Sequence, residues 1–201
     1  MQTEMQDSLP QSQVNMTTFG NLTVNDTNRE AYGRILAFDP AKDNLYLFGG
    51  CGVGKTTLAN LLFEKWSERL DEPWGYRDRL SGEFIKVGVN KRSKMVSWPK
   101  LCREIRAHVK DAALESSTIE TYSRETLLVI DDLGVGHDTE YSSKILWEIL
   151  DGRRGGGLII TSNFNLGQLA ERMGSDRVAS RIAGLCDVVE VPGNDFRLMK
   201  K

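Results

Sequence analysis

The feature that most constrains this chain is one octapeptide, Gly49-Gly50-Cys51-Gly52-Val53-Gly54-Lys55-Thr56. It fits the pattern G-x-x-x-x-G-K-[ST], the phosphate-binding loop called Walker A. The apolar run at residues 45–48 precedes it and is typical of a buried strand. Residues 56–69 follow it, with apolar side chains at helical spacing. Strand, glycine loop and helix in this order form the context in which the motif binds phosphate.

Each part of this loop has a physical role. Glycines let the backbone turn so that its N–H groups point at the phosphates, and the helix N-terminus adds positive potential. Lys55 is expected to reach the β- and γ-phosphates, and Thr56 to offer its hydroxyl to Mg²⁺. The alternative is a glycine-rich turn that binds nothing. The predicted nucleotide-binding residues are Gly50, Cys51, Gly52, Val53, Gly54, Lys55, Thr56 and Thr57.

A second apolar run, residues 126–130, ends in two acids, Asp131 and Asp132. This is the Walker B form, in which a buried strand delivers its first carboxylate beside the phosphate loop. Asp131 is expected to help hold Mg²⁺, and Asp132 to orient or polarise the attacking water. By itself the pattern also fits a strand that enters a turn. The upstream Walker A motif favours the functional interpretation.

A third apolar run, residues 158–161, is followed by Ser162 and Asn163. Asn163 is predicted either to lie near the γ-phosphate or to begin the turn before the next helix, since asparagine favours turns. The three candidate segments all follow strands. Ligands in parallel sheets bind at the carboxyl ends of strands, so this agreement supports one shared site.

Strands alternating with helices predict an α/β fold with a mostly parallel sheet and helices on both faces. The length of 201 residues, with 40% hydrophobic and 27% charged residues, suits one domain. Residues 1–18 are predicted to be a disordered tail, or a short peptide that folds onto a partner. Residues 19–201 are predicted to form the domain. Residues 70–92 are interpreted as a loop or excursion with one short strand at residues 84–87.

One segment is strongly basic although the net charge of the chain is −2. A strand is predicted at residues 94–98 and a helix from there to about Ala113. The helix has an apolar stripe of Leu101, Ile105 and Val109 opposite a basic side. The pattern fits either a solvated surface or a nucleic-acid contact. The candidate contact residues are Lys100, Arg103, Arg106 and Lys110.

The remaining composition excludes several classes of protein. Three scattered cysteines and two histidines make a zinc site improbable and suit a reducing compartment, which predicts a cytoplasmic protein. No long apolar run and no leader pattern is present, so no membrane span is predicted.

With these segments placed, the chain resembles the AAA+ ATPases of the DnaC/DnaI helicase-loader and IstB group, relatives of the initiator DnaA. The combination of motifs in this order is far more specific than the Walker motifs alone. The segments that carry the resemblance are residues 18–19, 28–29, 45–57, 128–134 (LVIDDLG), 159–163 (IITSN), 177–182 (RVASRI) and 193–197 (GNDFR).

The resemblance implies a P-loop AAA+ core, a three-layer sandwich with a five-stranded sheet and no separate C-terminal lid. It implies an ATPase that uses ATP and Mg²⁺, with Asn163 as sensor I. Arg181 falls at the arginine finger, which acts on ATP bound to a neighbouring subunit of a homo-oligomer; Arg177 is the fallback. An intrachain salt bridge is the alternative for Arg181. Arg197 is a candidate nucleotide-sensing or structural arginine. Asp132 is shorter than the more usual glutamate, which predicts slow turnover.

The resemblance also implies a biological role. The basic helix falls at or near the segment that binds single-stranded DNA in this group, so the leading hypothesis is an ATPase that assembles on single-stranded DNA and loads or remodels a replicative helicase. One alternative is an IstB-like regulator of transposition that acts on duplex DNA and a transposase. Another is a nucleotide-binding interaction module with little turnover.

Overall fold

The computed structural model describes residues 24, 26–78, 81–90, 92–136, 140–196 and 198. The predicted tail at residues 1–18 lies outside the described residues. The described strands are β1 (Asn44–Phe48), β2 (Glu72–Arg77), β3 (Phe84–Asn90), β4 (Ser93–Ser97), β5 (Leu127–Leu133), β6 (Gly157–Ser162) and β7 (Asp187–Glu190). The described helices are α1 (Arg29–Leu36), α2 (Lys55–Leu70), α3 (Trp98–Arg106), α4 (Ala112–Arg124), α5 (Glu140–Gly152), α6 (Leu166–Met173) and α7 (Asp176–Leu185).

Five of the strands form one sheet in the order β4-β5-β6-β1-β7, and every neighbouring pair is parallel. Strand side chains alternate between the two faces, and both faces are covered. Leu45 and Leu47 pack on one side, while Tyr46 between them packs on the other. A strand that is buried on both faces has no polar face, which explains its continuous apolar run.

Helices cover both faces of the sheet, which makes three layers. On one side α1 and α2 bury Tyr32, Ile35, Leu58 and Leu62. The other side is covered by α3 to α7, and Trp98 of α3 is the largest fully buried side chain there. The predicted α/β three-layer fold is therefore confirmed. Among the described residues no separate lid follows β7, and none of their helices is long and apolar enough to cross a bilayer.

Residues 70–92 differ from the prediction. Strands β2 and β3 pair antiparallel as a separate two-stranded sheet. The predicted single strand at residues 84–87 lies within β3, but β3 is longer and β2 was not predicted. Pro73 and Gly75 disfavour a strand in a sequence pattern. Among the described strands, β2 and β3 pair with each other and not with the main sheet, so they lack the apolar run of a core strand.

The predicted basic helix was too long. Helix α3 ends at Arg106, and α4 begins at Ala112 after a turn. The side chain of Asp111 caps α4 by accepting hydrogen bonds from the amides of Ala113 and Leu114, both at 3.1 Å. Lys110 therefore lies in the turn and not on the helix. Val109 is 54% exposed, so the predicted apolar stripe ends at Ile105.

The buried hydroxyl of Thr161 links the carboxyl ends of β5 and β6. The pairing of the two strands shifts register between Ile130 and Leu133, and Asp132 there has a φ of 58°. Thr161 Oγ1 donates a hydrogen bond to Asp131 Oδ1 at 2.5 Å and accepts one from the Asp132 amide at 3.0 Å. Thr161 thus fixes both acids of the Walker B segment where the regular ladder stops.

This arrangement predicts that Thr161→Val lowers the free energy of unfolding by about 1–3 kcal/mol, because valine keeps the shape but leaves two buried polar groups without this partner. Urea denaturation measures the change. Thr121→Val is the matched control, since its exposed hydroxyl contacts only the Ser117 carbonyl of its own helix, and we expect a change within about 0.5 kcal/mol. Equal effects of the two variants would contradict this role for Thr161.

Candidate functional site

The glycine loop turns sharply between β1 and α2. Gly52 and Gly54 have φ values of 72° and 99°, in the left-handed region that favours glycine. Gly54 is the N-cap of α2, and Val53 is buried in the core beside α2. Packing of Val53 in the core therefore holds the loop backbone in place. The 16-residue helix α2 begins directly after the loop, so its N-terminus faces the same site.

Lys55 is the centre of the site. It is only 5% exposed, and its Nζ donates to the carbonyl oxygens of Gly49 at 2.9 Å and Gly50 at 2.7 Å. It also donates to Asn163 Oδ1 at 2.8 Å. A buried ammonium needs such partners because desolvation of a charge is costly. Lys55 therefore links the phosphate loop to the end of β6.

Thr56 and Asp131 form a second link. Thr56 Oγ1 lies 2.9 Å from Asp131 Oδ1 and 3.2 Å from Oδ2. Asp131 is buried, with 8% exposure, and is tied to Thr161 as well. A hydroxyl and a carboxylate are hard oxygen ligands of the kind that Mg²⁺ prefers, so these two residues fit a magnesium ion. The described residues contain no larger cluster of acidic, histidine or cysteine ligands.

The end of β6 is held by hydrogen bonds that support Asn163. Ser162 Oγ donates to the Leu133 carbonyl at 2.7 Å and accepts from the Phe164 amide at 3.1 Å. Tyr46 donates its hydroxyl to the Phe164 carbonyl at 2.7 Å. Burial raises the pKa of Tyr46 to about 12, so the phenol stays a neutral donor. Asn163 is thus positioned by β1 and β5 as well as by its own strand.

Asp132 has the backbone of a strained position. It is the only non-glycine residue with positive φ among the described residues. Aspartate tolerates the left-handed region better than most residues, and such strain concentrates at functional sites. The hydrogen bonds described above bring the predicted cluster of Lys55, Thr56, Asp131 and Asn163 together. Asp132 directly follows Asp131 in the sequence.

Sequence reasoning missed the residues that support this cluster. Thr161 was predicted as the last residue of a strand and Ser162 as the residue after it, and neither was given a role. Both are fully buried and hydrogen-bonded across to β5. The sequence does carry a sign of such a role, because polar residues at the carboxyl end of an apolar strand differ from the pattern of a core strand. Tyr46 gave no such signal, since it looks like any apolar strand residue.

The two candidate arginines of α7 lie outside this cluster. Arg181 Nη2 lies 3.3 Å from Asp151 Oδ1 of α5, and the guanidinium of Arg177 lies 5.3 Å from the centre of the Trp147 ring. Both arginines thus face α5. The intrachain pair that the sequence left as the alternative for Arg181 is present. Arg197 lies outside the described residues.

The candidate nucleic-acid residues are on the surface but do not form one helical row. Lys100 and Arg103 are exposed on α3. Arg106 donates to Ser142 Oγ at 3.0 Å and lies 6.0 Å from the Tyr141 ring centre, so α5 holds part of its side chain. Lys110 is exposed in the turn after α3.

Solved structures with this architecture include initiators and helicase loaders. The structure is similar to a replication initiator DnaA bound to AMPPCP and single-stranded DNA, with a TM-score of 0.64 at 19% identity over 90% of this chain. The chain spans about half of that DnaA, 51% of its length. The DnaC helicase loader has a TM-score of 0.61 at 19% identity, with 87% of this chain and 98% of that chain covered. DnaI has a TM-score of 0.60 at 23% identity, with 84% and 87% covered.

These likenesses establish the P-loop AAA+ fold. No curated protein gives a significant sequence match. A family profile does match: that of the IstB-like ATP binding proteins aligns with residues 83–201, which include Asp131, Asn163 and Arg181 and begin after the phosphate loop. The match covers more than half of the 201 residues, so the chain belongs to the family of IstB-like ATP binding proteins, within the AAA+ group that resembles DnaC.

Proposed function

We propose that this protein is a slow, Mg²⁺-dependent ATPase whose nucleotide state controls assembly on DNA. The observation that carries the proposal is the convergence of Lys55, Thr56, Asp131 and Asn163 through direct hydrogen bonds at the carboxyl end of the sheet. Lys55 and Thr56 at the start of α2, Asp131 of β5 and Asn163 after β6 meet there, at the edge where parallel α/β sheets bind ligands.

The residues of this chain divide the work of hydrolysis as follows. The loop amides of residues 50–57 and Lys55 bind the phosphates, and Lys55 can turn from the Gly49 and Gly50 carbonyls toward the γ-phosphate while it keeps its bond to Asn163. Thr56 and Asp131 would hold Mg²⁺, which when bound neutralises charge on the phosphates. Asp132 orients the attacking water, and Asn163 fixes its position relative to the γ-phosphate.

Arg181 is proposed to complete the site of a neighbouring copy. An arginine that stabilises developing charge can raise the rate by several powers of ten, so hydrolysis would depend on assembly. The pair with Asp151 is half exposed and therefore weak, which allows Arg181 to exchange it for a phosphate. The site and its arginine lie on different subunits in this arrangement.

The exposed basic residues of α3 support a DNA contact. Lys100, Arg103 and Arg106 lie on the solvent side of a helix whose other side packs on the sheet, and Lys110 follows in the turn. Single-stranded DNA is the proposed ligand, and a replicative helicase the proposed client.

Membership of the IstB-like family favours a second candidate, a regulator of transposition that binds duplex DNA. A third is a nucleotide-binding interaction module with little turnover.

For the nucleotide site we expect Lys55→Ala to lower ATP hydrolysis by roughly a hundredfold or more, because it removes a preorganised cation from the phosphates. Lys65→Ala is the matched control, since Lys65 is exposed on the same helix beside Trp66. Phosphate release and binding of a fluorescent ATP analogue provide two readouts. A Lys55→Ala protein with unchanged binding and hydrolysis would overturn the proposed site.

For the trans arginine we expect Arg181→Ala and Lys55→Ala to be inactive separately and to regain activity when mixed. The first keeps an intact site and the second an intact arginine, so mixed interfaces are complete. Asp151→Asn breaks the same salt bridge but keeps Arg181, and it should stay active. Inactivity of the mixture at every ratio would contradict completion in trans.

For DNA we expect the double variant Lys100→Ala/Arg103→Ala to weaken binding of a labelled single strand in the presence of a slowly hydrolysed ATP analogue. Each DNA phosphate that the variant no longer neutralises should reduce the slope of log K against log salt by about 0.7. Lys65→Ala/Arg69→Ala removes two exposed charges from α2 and serves as the control. If both variants bind the single strand equally well, α3 does not contact DNA. If the wild-type protein binds duplex DNA more tightly than the single strand, the transposition role is favoured.

A further inference from the structure

The segment after β7, residues 191–196, packs against the outside of the phosphate loop. The Val191 amide donates to the Phe48 carbonyl at 2.7 Å, which extends the β1–β7 ladder by one bond. Further on, the Phe196 amide donates to the Gly52 carbonyl at 3.1 Å. The two ends of this segment are thus tied to the last residue of β1 and to the middle of the loop.

The contact at Gly52 brings a carboxylate directly onto the loop. A Cβ at position 52 would overlap Asp195 Oδ1 and lie 2.7 Å from Oδ2, closer than any real side chain could approach. Gly52 also has a φ of 72°. Glycine is required here both by the backbone and by the Asp195 side chain, which occupies the space of a side chain on the loop.

The charge of this carboxylate opposes the charge of the proposed ligand. The loop amides and the N-terminus of α2 create positive potential, which attracts any anion. This potential also favours the negative charge of Asp195 beside Gly52. A polyphosphate bound in the loop would place several negative charges within a few ångströms of the same carboxylate, and like charges at that distance repel.

We propose that Asp195 is an internal competitor of the nucleotide and sets its affinity, and that nucleotide binding loosens the contact of residues 195–196 with Gly52. This inference rests on the proposed nucleotide site and adds its regulation. The position of residues 195–196 then depends on whether the loop holds a nucleotide. Because the Val191 bond belongs to the sheet, the segment pivots from Val191 while residues 195–196 move away from the loop.

The first test is the affinity of a fluorescent ATP analogue for Asp195→Asn. We expect binding about three- to tenfold tighter than wild type at low salt, and a smaller difference at high salt, as for one like charge near a protein surface. Asp187→Asn is the matched control: it makes the same change in net charge on β7, where Asp187 pairs with Arg34. It should bind as wild type does.

The second test is hydrogen exchange of single backbone amides in the wild-type protein, with and without a slowly hydrolysed ATP analogue. The Phe196 amide should exchange faster when the analogue is bound, while the Val191 amide should not. Unchanged or weaker binding by Asp195→Asn, or a Phe196 amide that exchanges more slowly with nucleotide, would overturn the inference and leave the nucleotide site intact. A wild-type protein that binds no nucleotide would overturn both.

Discussion

A single buried ammonium group holds the two halves of the site together. Lys55 Nζ reaches two carbonyls of its own loop and the Asn163 side chain at the end of β6. These oxygen atoms offset the cost of removing the charge from water. The conformation of the glycine loop, the register of β1 against β6 and the turn after β6 therefore depend on the same contact. Thr56 and Asp131 repeat this link between the loop and β5.

The sequence predicted the elements whose pattern is set by burial. Strands β1, β5 and β6 are buried on both faces, and each was predicted from its continuous apolar run. Helix α4 was missed because its sequence, AALESSTIETYSR, buries only Ile119, Tyr122 and Ser123 and leaves most positions polar. The hairpin of β2 and β3 was missed because it packs as a sheet of its own and bears no core pattern.

The candidate site divides in the same way. The proximity of Lys55, Thr56, Asp131 and Asn163 was predictable because each lies at or after the carboxyl end of an apolar run, in a known motif. Thr161 and Asp195 were not, because their roles depend on contacts 30 and 143 positions away in sequence: Thr161 with Asp131, and Asp195 with Gly52. The positive φ of Asp132 is equally invisible in a pattern, since it arises where the register of β5 against β6 shifts.

The strand order has a consequence for the way the chain is made. Strand β1 is the first of the sheet to be synthesised, yet its two neighbours are β6 and β7, the last two. Strands β4 and β5 can pair earlier, but the phosphate loop gains its flanking strands only after residue 190 has been made. Because long-range parallel pairing is slow, we expect the phosphate loop to be among the last parts of the sheet to form. A growing chain therefore carries the complete Walker A sequence before the strands that flank the loop exist, and we expect chains that end before β7 to lack a formed phosphate loop.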